Sequence, residues 1–508
     1  MSIFTRFNNL SPLSGWRAWL ASYLAGALMM AAFAPFYVWP VVFVALPFFY
    51  RLLNAAPTGR EAARRGFFFG YGHAMAGTYW IANALLVDAE KFGWLYPFSV
   101  LGLSAVLAIW FALFGWWFHA LRSNQPLKNI LRFAALWVLI EYLRSVGMFG
   151  FPWNLAGYTA LASIHVAQLA SIVGVFGLSF LVVLVGVLPV LPQRKIAFAI
   201  ITILLGGAYG YGAWRMPDST SFTATHLRIV QPSVPQAVKW TPQGKMESLK
   251  LHADMMRTEN DVTPDVVIWS ESAFPYTLRA DSPWPPQLGA LLLPNQLLLT
   301  GAMRAEGEGT ALKLWNSMVA IDGKGVVRAT YDKHQLVPFG EFMPLRDVLP
   351  LDKITPGDTD FSRGAGPQTI AIDTIPSFSP LVCYEVIFPW LTVDKQVRPQ
   401  WLLNVTNDGW YGNATGPYQH YAAAQMRAIE QGLPVVRAAN NGISAVIDPY
   451  GRAVAELELN KRGIIDSLLP VSAPPTLYAR HGVAVAIILT ATLLLVAAFM
   501  KLTLTKNK

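Results

Sequence analysis

Hydrophobic positions follow two different textures along the chain. Up to about residue 215 they form long apolar runs: Ala18–Ala34, Phe36–Leu53, Gly66–Val87, Trp94–Phe118, Phe133–Phe151, Val166–Val190 and Ile196–Trp214. One more, Gly482–Met500, lies near the end. Each approaches the roughly 20 residues that an α-helix needs to cross the hydrocarbon core of a bilayer. The fifth run is interrupted by Glu141 and Arg144, and the sixth is long enough for its start to be interfacial. From Met216 to about Arg480 the apolar runs shrink to strand length: Leu227–Val230, Val266–Trp269, Leu297–Thr300, Met318–Ile321, Val326–Tyr331, Ile370–Ile372, Leu381–Tyr384 and Trp401–Val405. Many are bounded by Pro, Gly, Asn or Asp, as strands are. Asp322-Gly323-Lys324-Gly325 predicts a hairpin between two of them. Helical spacing recurs at Met246, Leu249, Ala253 and Met256, and again at Ala422, Met426 and Ile429.

Such alternation of strands and helices over roughly 265 residues predicts one α/β domain. The expected architecture is a polytopic α-helical membrane bundle of about eight spans plus one α/β domain. Residues 1–215 hold seven spans, 216–480 the domain, and 481–508 the last span with a short tail.

Charge orients this bundle. Basic residues cluster in alternate connections: Arg6 and Arg17; Arg60, Arg64 and Arg65; Arg122 and Lys128; Arg194 and Lys195; Lys506 and Lys508. The connections between them carry almost none, only Lys91 between the third and fourth runs. By the positive-inside rule both termini are then cytoplasmic, and the 216–480 domain lies across the membrane from them. Ala32-Phe33-Ala34 resembles a signal-peptide cleavage site, but Pro35 follows it at once and further apolar runs come after. The first run is therefore read as a retained helix.

Composition agrees with a membrane protein. The chain has 508 residues, 14% of them charged and 54% hydrophobic. Soluble domains carry about 25% charged residues. The net charge of +9 is explained by the basic connections without invoking nucleic acid. One cysteine excludes an intrachain disulfide and any multi-cysteine metal site.

Three residues carry candidate chemistry. Cys383 follows the run Pro380-Leu381-Val382, Glu271 follows Val266–Trp269 and Ser270, and Lys333 follows the strand that ends at Tyr331. Singly, each has an ordinary reading: a buried thiol, a solvated carboxylate, a surface lysine. Jointly they make a nucleophile, a general base and a cation for thiolate and oxyanion. Strand ends can bring them together although 62 and 50 residues separate them. No Gly-rich phosphate loop and no HExxH occurs, and His334 and His420 are not spaced as a metal pair. Asn404-Val-Thr406 and Asn413-Ala-Thr415 match the glycosylation sequon, a short and common pattern.

The segments IWSES, YDKHQLVPFGEFMP and LVCYEVIFP, in that order, resemble the nitrilase (carbon–nitrogen hydrolase) superfamily. Its domain is an αββα sandwich with a Glu-Lys-Cys triad. Seven apolar runs before the domain and one after resemble the branch that N-acylates apolipoproteins in the bacterial inner membrane. VTNDGWYG, RAANNG and GFPWNLAGY add to that likeness, which spans essentially the whole chain. The resemblance implies Glu271 as base, Lys333 as oxyanion stabiliser and Cys383 as nucleophile, with Glu341, Tyr384, Glu385 and Trp240 in support. Ser270 stands where many members have Pro.

The implied reaction moves the sn-1 acyl chain of a phospholipid, phosphatidylethanolamine, to a Cys383 thioester. The α-amine of a diacylglyceryl-modified N-terminal cysteine then takes the acyl chain. The resemblance implies no cofactor, no metal and no nucleic-acid partner, and a monomer with its catalytic domain in the periplasm. The rival is a membrane-tethered amidase of the same domain that uses water as acceptor. A transporter with a solute-binding external domain would need a polar path, for which Glu141 and Arg144 are the best pair. A lipid substrate further requires an apolar entrance. Phe342, Phe388, Trp390 and Trp410 are its expected lining, with Trp284, Met343 and Tyr411 as further apolar loop residues.

Overall fold

The computed structural model describes residues 13–147, 150–260, 262–344, 353–354 and 359–499. Arg6, Lys506, Lys508 and Met500, used above, lie outside the described residues. The chain divides into two compact units. One comprises Met1–Tyr79, Pro97–Arg215 and His481–Lys508; the other comprises Trp80–Tyr96 and Met216–Arg480.

The first unit is helical. Among the described residues, Ala89–Leu121, Ala170–Val190 and Arg194–Arg215 are long and apolar enough to cross a membrane, and Trp39–Asn54 and Ala484–Leu495 are shorter apolar helices. Helices Trp16–Met29 and Gly59–Thr78 pack backbone to backbone, because a Cβ on Gly26 would sit 1.9 Å from the Phe69 carbonyl oxygen. Small residues allow that close approach between membrane helices. The run expected at Gly66–Val87 is helical only to Thr78; Tyr79–Leu86 is a 3₁₀ turn whose Trp80 and Asn83 bond within the second unit. The run expected at Val166–Val190 is broken at Gly174, where φ is 65°.

Glu141 and Arg144 are buried and engaged in local hydrogen bonds. The Glu141 Oε1 accepts from Trp137 Nε1 at 2.9 Å and from the Ala156 amide at 2.7 Å, and Arg144 donates to the Trp153 carbonyl at 2.8 Å. These bonds hold the GFPWNLAGY loop on its helix.

The second unit carries two sheets. Strands β1 Phe222–Gln231, β2 Val266–Trp269, β3 Phe274–Leu278, β4 Leu297–Glu306, β5 Lys313–Asp322 and β6 Val327–Asp332 belong to one. Strands β7 Ile370–Ile372, β8 Ile375–Val382, β9 Trp401–Thr406, β10 Val435–Ala439, β11 Ser444–Ile447 and β12 Ala453–Leu457 form the other, and β13 Gly463–Pro470 returns to the first beside β1. Alternate residues of both sheets, among them Ile229, Ile268, Leu299, Phe378, Leu403 and Val436, pack into one buried core. The other face of the first sheet packs Val267, Trp269 and Leu298 with Met256 and Leu288 from helices Pro242–Met256 and Trp284–Gly289. Helix Gly416–Gln431 lies against β10 of the second sheet. The order is helix, sheet, sheet, helix.

Local differences from the sequence pattern have physical causes. Helix Pro242–Met256 buries Ser248, His252 and Met256, and Met246 is 58% exposed, because the His252 ring packs against Trp269 at 4.8 Å. The strand expected to continue through Tyr384 ends at Val382, since Cys383 turns to φ 53° and opens a 3₁₀ turn over Cys383–Ile387. The Asp322–Gly325 hairpin closes as expected, with Gly325 at φ 77° donating to the Asp322 carbonyl at 2.9 Å. Asn404 is fully buried in β9, which closes that sequon.

Candidate active site

Three strand ends bring Glu271, Lys333 and Cys383 together. Parallel strands β2 and β8 end at Trp269 and Val382, and their carboxyl ends are where α/β sheets place ligands. The turn that carries Glu271 fits against Gly301 of β4, where a Cβ would meet the Glu271 Cα at 2.5 Å. Lys333 follows β6, its amide held by the Asn316 carbonyl at 2.8 Å. The left-handed backbone at Cys383 is costly for a residue with a Cβ. It lifts the thiol off the strand end.

Side chains then lock the group. Lys333 Nζ lies 2.9 Å from Glu341 Oε1 and 3.8 Å from Glu271 Oε1. Asn316 Nδ2 bridges the two carboxylates, donating to Glu271 Oε1 at 2.7 Å and to Glu341 Oε1 at 2.8 Å. The Val337 amide donates to Glu341 Oε2 at 2.8 Å. Glu271 Oε2, by contrast, has no hydrogen-bond partner among the described residues. Burial raises the Glu271 carboxyl above its usual range against the pull of Lys333. Burial would lower Lys333, but the charges of Glu341, Glu271 and Cys383 outweigh it and hold the ammonium protonated. The Cys383 thiol is pushed up to about 12, first by burial and then by the Glu271 charge, with Lys333 opposing.

The other predicted residues fall around this centre. Glu385 fastens both strand ends: its Oε1 accepts from Tyr331 Oη and the His334 amide at 2.8 Å each, and its Oε2 accepts from the Val382 amide at 2.7 Å. Tyr384 is buried edge-on to Phe388 at 5.0 Å. Trp240 is half-buried beside Lys239, whose Nζ lies 3.4 Å from the Glu271 carbonyl oxygen. Of the expected entrance residues, Phe342, Trp390 and Trp410 are half-buried, whereas Phe388 and Met343 are buried. Trp284 stacks on Tyr276 at 4.5 Å in the outer core.

Residues to which the sequence assigned no role stand behind Cys383. His420 Nε2 lies 3.1 Å from the Cys383 carbonyl oxygen, which can only accept, so Nε2 donates to it. His420 Nδ1 sits 2.9 Å from Asp408 Oδ1, and Arg437 Nη2 donates to Asp408 Oδ2 at 2.6 Å. All three are buried. Burial opposes the Asp408 charge, but Arg437 and His420 lower its carboxyl to about 2.

Comparison with known proteins matches both parts of the chain. Residues 25–188 match the family described as apolipoprotein N-acyltransferase N-terminal domain, and residues 230–472 match carbon-nitrogen hydrolase. An apolipoprotein N-acyltransferase of Bradyrhizobium diazoefficiens is 39% identical over 98% of each chain. One of Rhodopseudomonas palustris is 36% identical over 96% of each. Among solved structures, a CN-hydrolase superfamily protein of Xanthomonas campestris matches 49% of this chain and 91% of its own, at 18% identity and TM-score 0.36. On near-full-length identity to these relatives, the chain belongs to the apolipoprotein N-acyltransferase family.

Proposed function

We propose that this chain transfers the sn-1 acyl chain of a phospholipid, phosphatidylethanolamine, through a Cys383 thioester to the α-amine of a diacylated apolipoprotein. The observation that carries the reading is the buried convergence of Glu271, Lys333 and Cys383 in a chain of this family. A thiol held near 12 is inert at neutral pH unless a base removes its proton as it attacks. Glu271, with a raised carboxyl and a free oxygen, is that base.

The thiolate adds to the ester carbonyl, and Lys333 stabilises the oxyanion. The carbon–oxygen bond then breaks, and the proton held by Glu271 passes to the departing glycerol oxygen. In the second half the amine attacks the thioester, Glu271 takes a proton from the attacking nitrogen, the carbon–sulfur bond breaks, and that proton passes to the departing Cys383 sulfur as the amide forms. Both steps are redox-neutral and as written need no metal or cofactor. Glu341 fixes Lys333, Glu385 fixes the strand ends, and Tyr384 and Trp240 line the approach.

The membrane reading extends this. Eight spans, seven before the catalytic unit, put both termini in the cytoplasm of an inner-membrane protein and the catalytic unit in the periplasm. The alternation of basic connections supports it. In a Cys383→Ala background, an impermeant thiol reagent on intact spheroplasts should label Asp281→Cys and spare Asn124→Cys. The reverse pattern would overturn the topology.

Intact-mass measurement after incubation with phospholipid alone tests the chemistry. Wild type should gain one acyl chain, removable by hydroxylamine, and Cys383→Ala should gain none. Acyl transfer by Cys383→Ala would end this reading. Release of free fatty acid in place of amide, with lipoprotein acceptor present, would favour the water-using amidase.

A further inference from the structure

Lys239 closes the short helix Gln236–Lys239 and is 1% exposed. An ammonium taken out of water is costly unless a carboxylate and further acceptors receive it. Among the described residues its Nζ makes one hydrogen bond, to the Glu271 carbonyl oxygen at 3.4 Å, and no ion pair. Its other neighbours bring no negative charge. Nζ lies 5.5 Å from the centroid of the Trp240 ring, which Lys245 Nζ also approaches, at 6.0 Å. On helix Pro242–Met256, His252 Nδ1 donates to the Ser248 carbonyl at 2.7 Å. Burial and the Lys239 charge lower that ring to about 4, so it is neutral. The turn that Lys239 holds has little other side-chain support. The Ser270 carbonyl accepts from the Ala273 and Gly301 amides at 3.2 Å each. Ser272 sits at φ 50°, a left-handed conformation that costs a residue with a Cβ. Ser270 Oγ and Trp269 Nε1 are buried without hydrogen-bond partners among the described residues.

We propose that Lys239 is a positioning residue for the base: its buried ammonium holds the Glu271 carbonyl, and its charge favours the ionised Glu271 side chain. This rests on the acyl-transfer reading, in which Glu271 must be a carboxylate to take the thiol proton. On the side of Cys383, Glu271 faces Lys333 and Glu341. Lys333 Nζ is nearer to Glu341, at 2.9 Å, than to Glu271, at 3.8 Å. A cation committed mainly to Glu341 leaves Glu271 short of positive charge, and Lys239 supplies it through the turn. Burial lowers the Lys239 ammonium to about 8, with the Glu271 charge opposing, so it is protonated at neutral pH. Attraction between two charges is mutual, and the pull that Glu271 exerts on Lys239 acts equally on Glu271. No proton leaves Lys239 in either half of the reaction. A buried ammonium with so few partners is kept at a cost to the fold, and such costs gather at functional sites.

Lys239→Met in the full-length protein keeps most of the apolar stem and removes the charge. Loss of a nearby opposite charge should move the acid limb of single-turnover acylation up by about one pH unit, so that the rate below the limb falls roughly tenfold. The phospholipid concentration for half-maximal rate should change little, because Lys239 is not assigned a substrate contact. A second readout needs no substrate. The protonated-carboxyl infrared band that Glu271→Gln abolishes should titrate at higher pH in Lys239→Met than in wild type. The thermal midpoint should be unchanged or higher, since a poorly compensated buried charge is gone. Lys239→Gln takes the place of the methionine variant if that one does not fold. An acid limb and an infrared titration that both match wild type overturn the proposal. A lowered thermal midpoint with the limb in place overturns it too, because Lys239 then only supports the fold. Should wild type form no thioester from phospholipid, the acyl-transfer reading fails, while the infrared titrations still decide the place of Lys239.

Discussion

Two buried clusters of ionisable groups meet Cys383, and they differ in how fully their polar atoms are matched. Behind Cys383, Asp408 has both oxygens engaged, by His420 and Thr406 on one and Arg437 on the other. Its carboxyl is lowered to about 2. On the other side, Glu271 is raised by burial and keeps one oxygen without a hydrogen-bond partner among the described residues. Both are acids in the interior of one domain. The satisfied one fixes geometry, because its protonation state does not change near neutral pH. The under-satisfied one can gain and lose a proton during a reaction, and strain of that kind gathers at functional sites.

The sharpest way to break this comparison is to neutralise each acid and read activity against stability. Glu271→Gln should slow thioester formation by about 10²- to 10⁴-fold. Its thermal midpoint should be unchanged or higher, since a buried charge is removed and Lys333 keeps Glu341. Stopped thioester formation on intact mass, alongside calorimetry, checks both. A large loss of stability in Glu271→Gln would erase the distinction.

Asp408→Ala should behave in the opposite sense. It leaves the buried Arg437 guanidinium without its carboxylate, a change that costs about 3–5 kcal/mol. The expected outcome is a clear drop in chemical-denaturation midpoint, with activity falling because the 408–420 loop and the His420 contact to Cys383 loosen. A variant as stable as wild type would show that the cluster is not an anchor.

How much of this was legible in the sequence follows the range of the interactions. The triad could be read because each member closes a short apolar run, and a strand end is a local signal. Glu341 and Glu385 came with the same motifs. Asn316, inside β5, has no local mark; only the fold places its amide between two carboxylates. The docking of Trp80 on Gln419 spans 339 positions and breaks an apolar run that hydropathy alone would continue to Val87. The turn at Cys383 was also hidden. Apolar texture continues past Val382, and nothing in residue type announces a left-handed φ. The helix over Pro242–Met256 buries Met256 and packs Leu249 on the core as its spacing predicts, but Met246 is left exposed, and His252, which the spacing did not mark, packs against Trp269.

The difference between the two acids also has a pH signature in stability. Asp408 is depressed in the folded state, from an ordinary 3.8 to about 2. Its contribution is therefore fully present above pH 4 and is lost as pH falls toward 2. The size is about 2 kcal/mol by linkage. Denaturation midpoints measured between pH 5 and pH 2 should show the loss in wild type, and the loss should shrink in Asp408→Asn. An undiminished acid loss in that variant would assign it to other carboxylates.

The smallest expected effect separates position from charge within the reacting cluster. Asn316 donates to Glu271 and so pulls its carboxyl down, against burial and the neighbouring Glu341 charge, which push it up. Asn316→Ala removes that pull without touching a charge. Glu271 must be deprotonated to accept the thiol proton, so rate is lost on the acid side as pH falls through its pKa. Removing the amide should move that acid limb of thioester formation to higher pH. At pH well above the limb, the rate should stay within a few-fold of wild type, because Lys333 and Glu341 remain paired at 2.9 Å. The measurement is a pH–rate profile of single-turnover acylation. A limb that stays in place while the plateau collapses would mean that Asn316 only orients the carboxylate; a limb moved to lower pH would mean that Glu271 is not the titrating base.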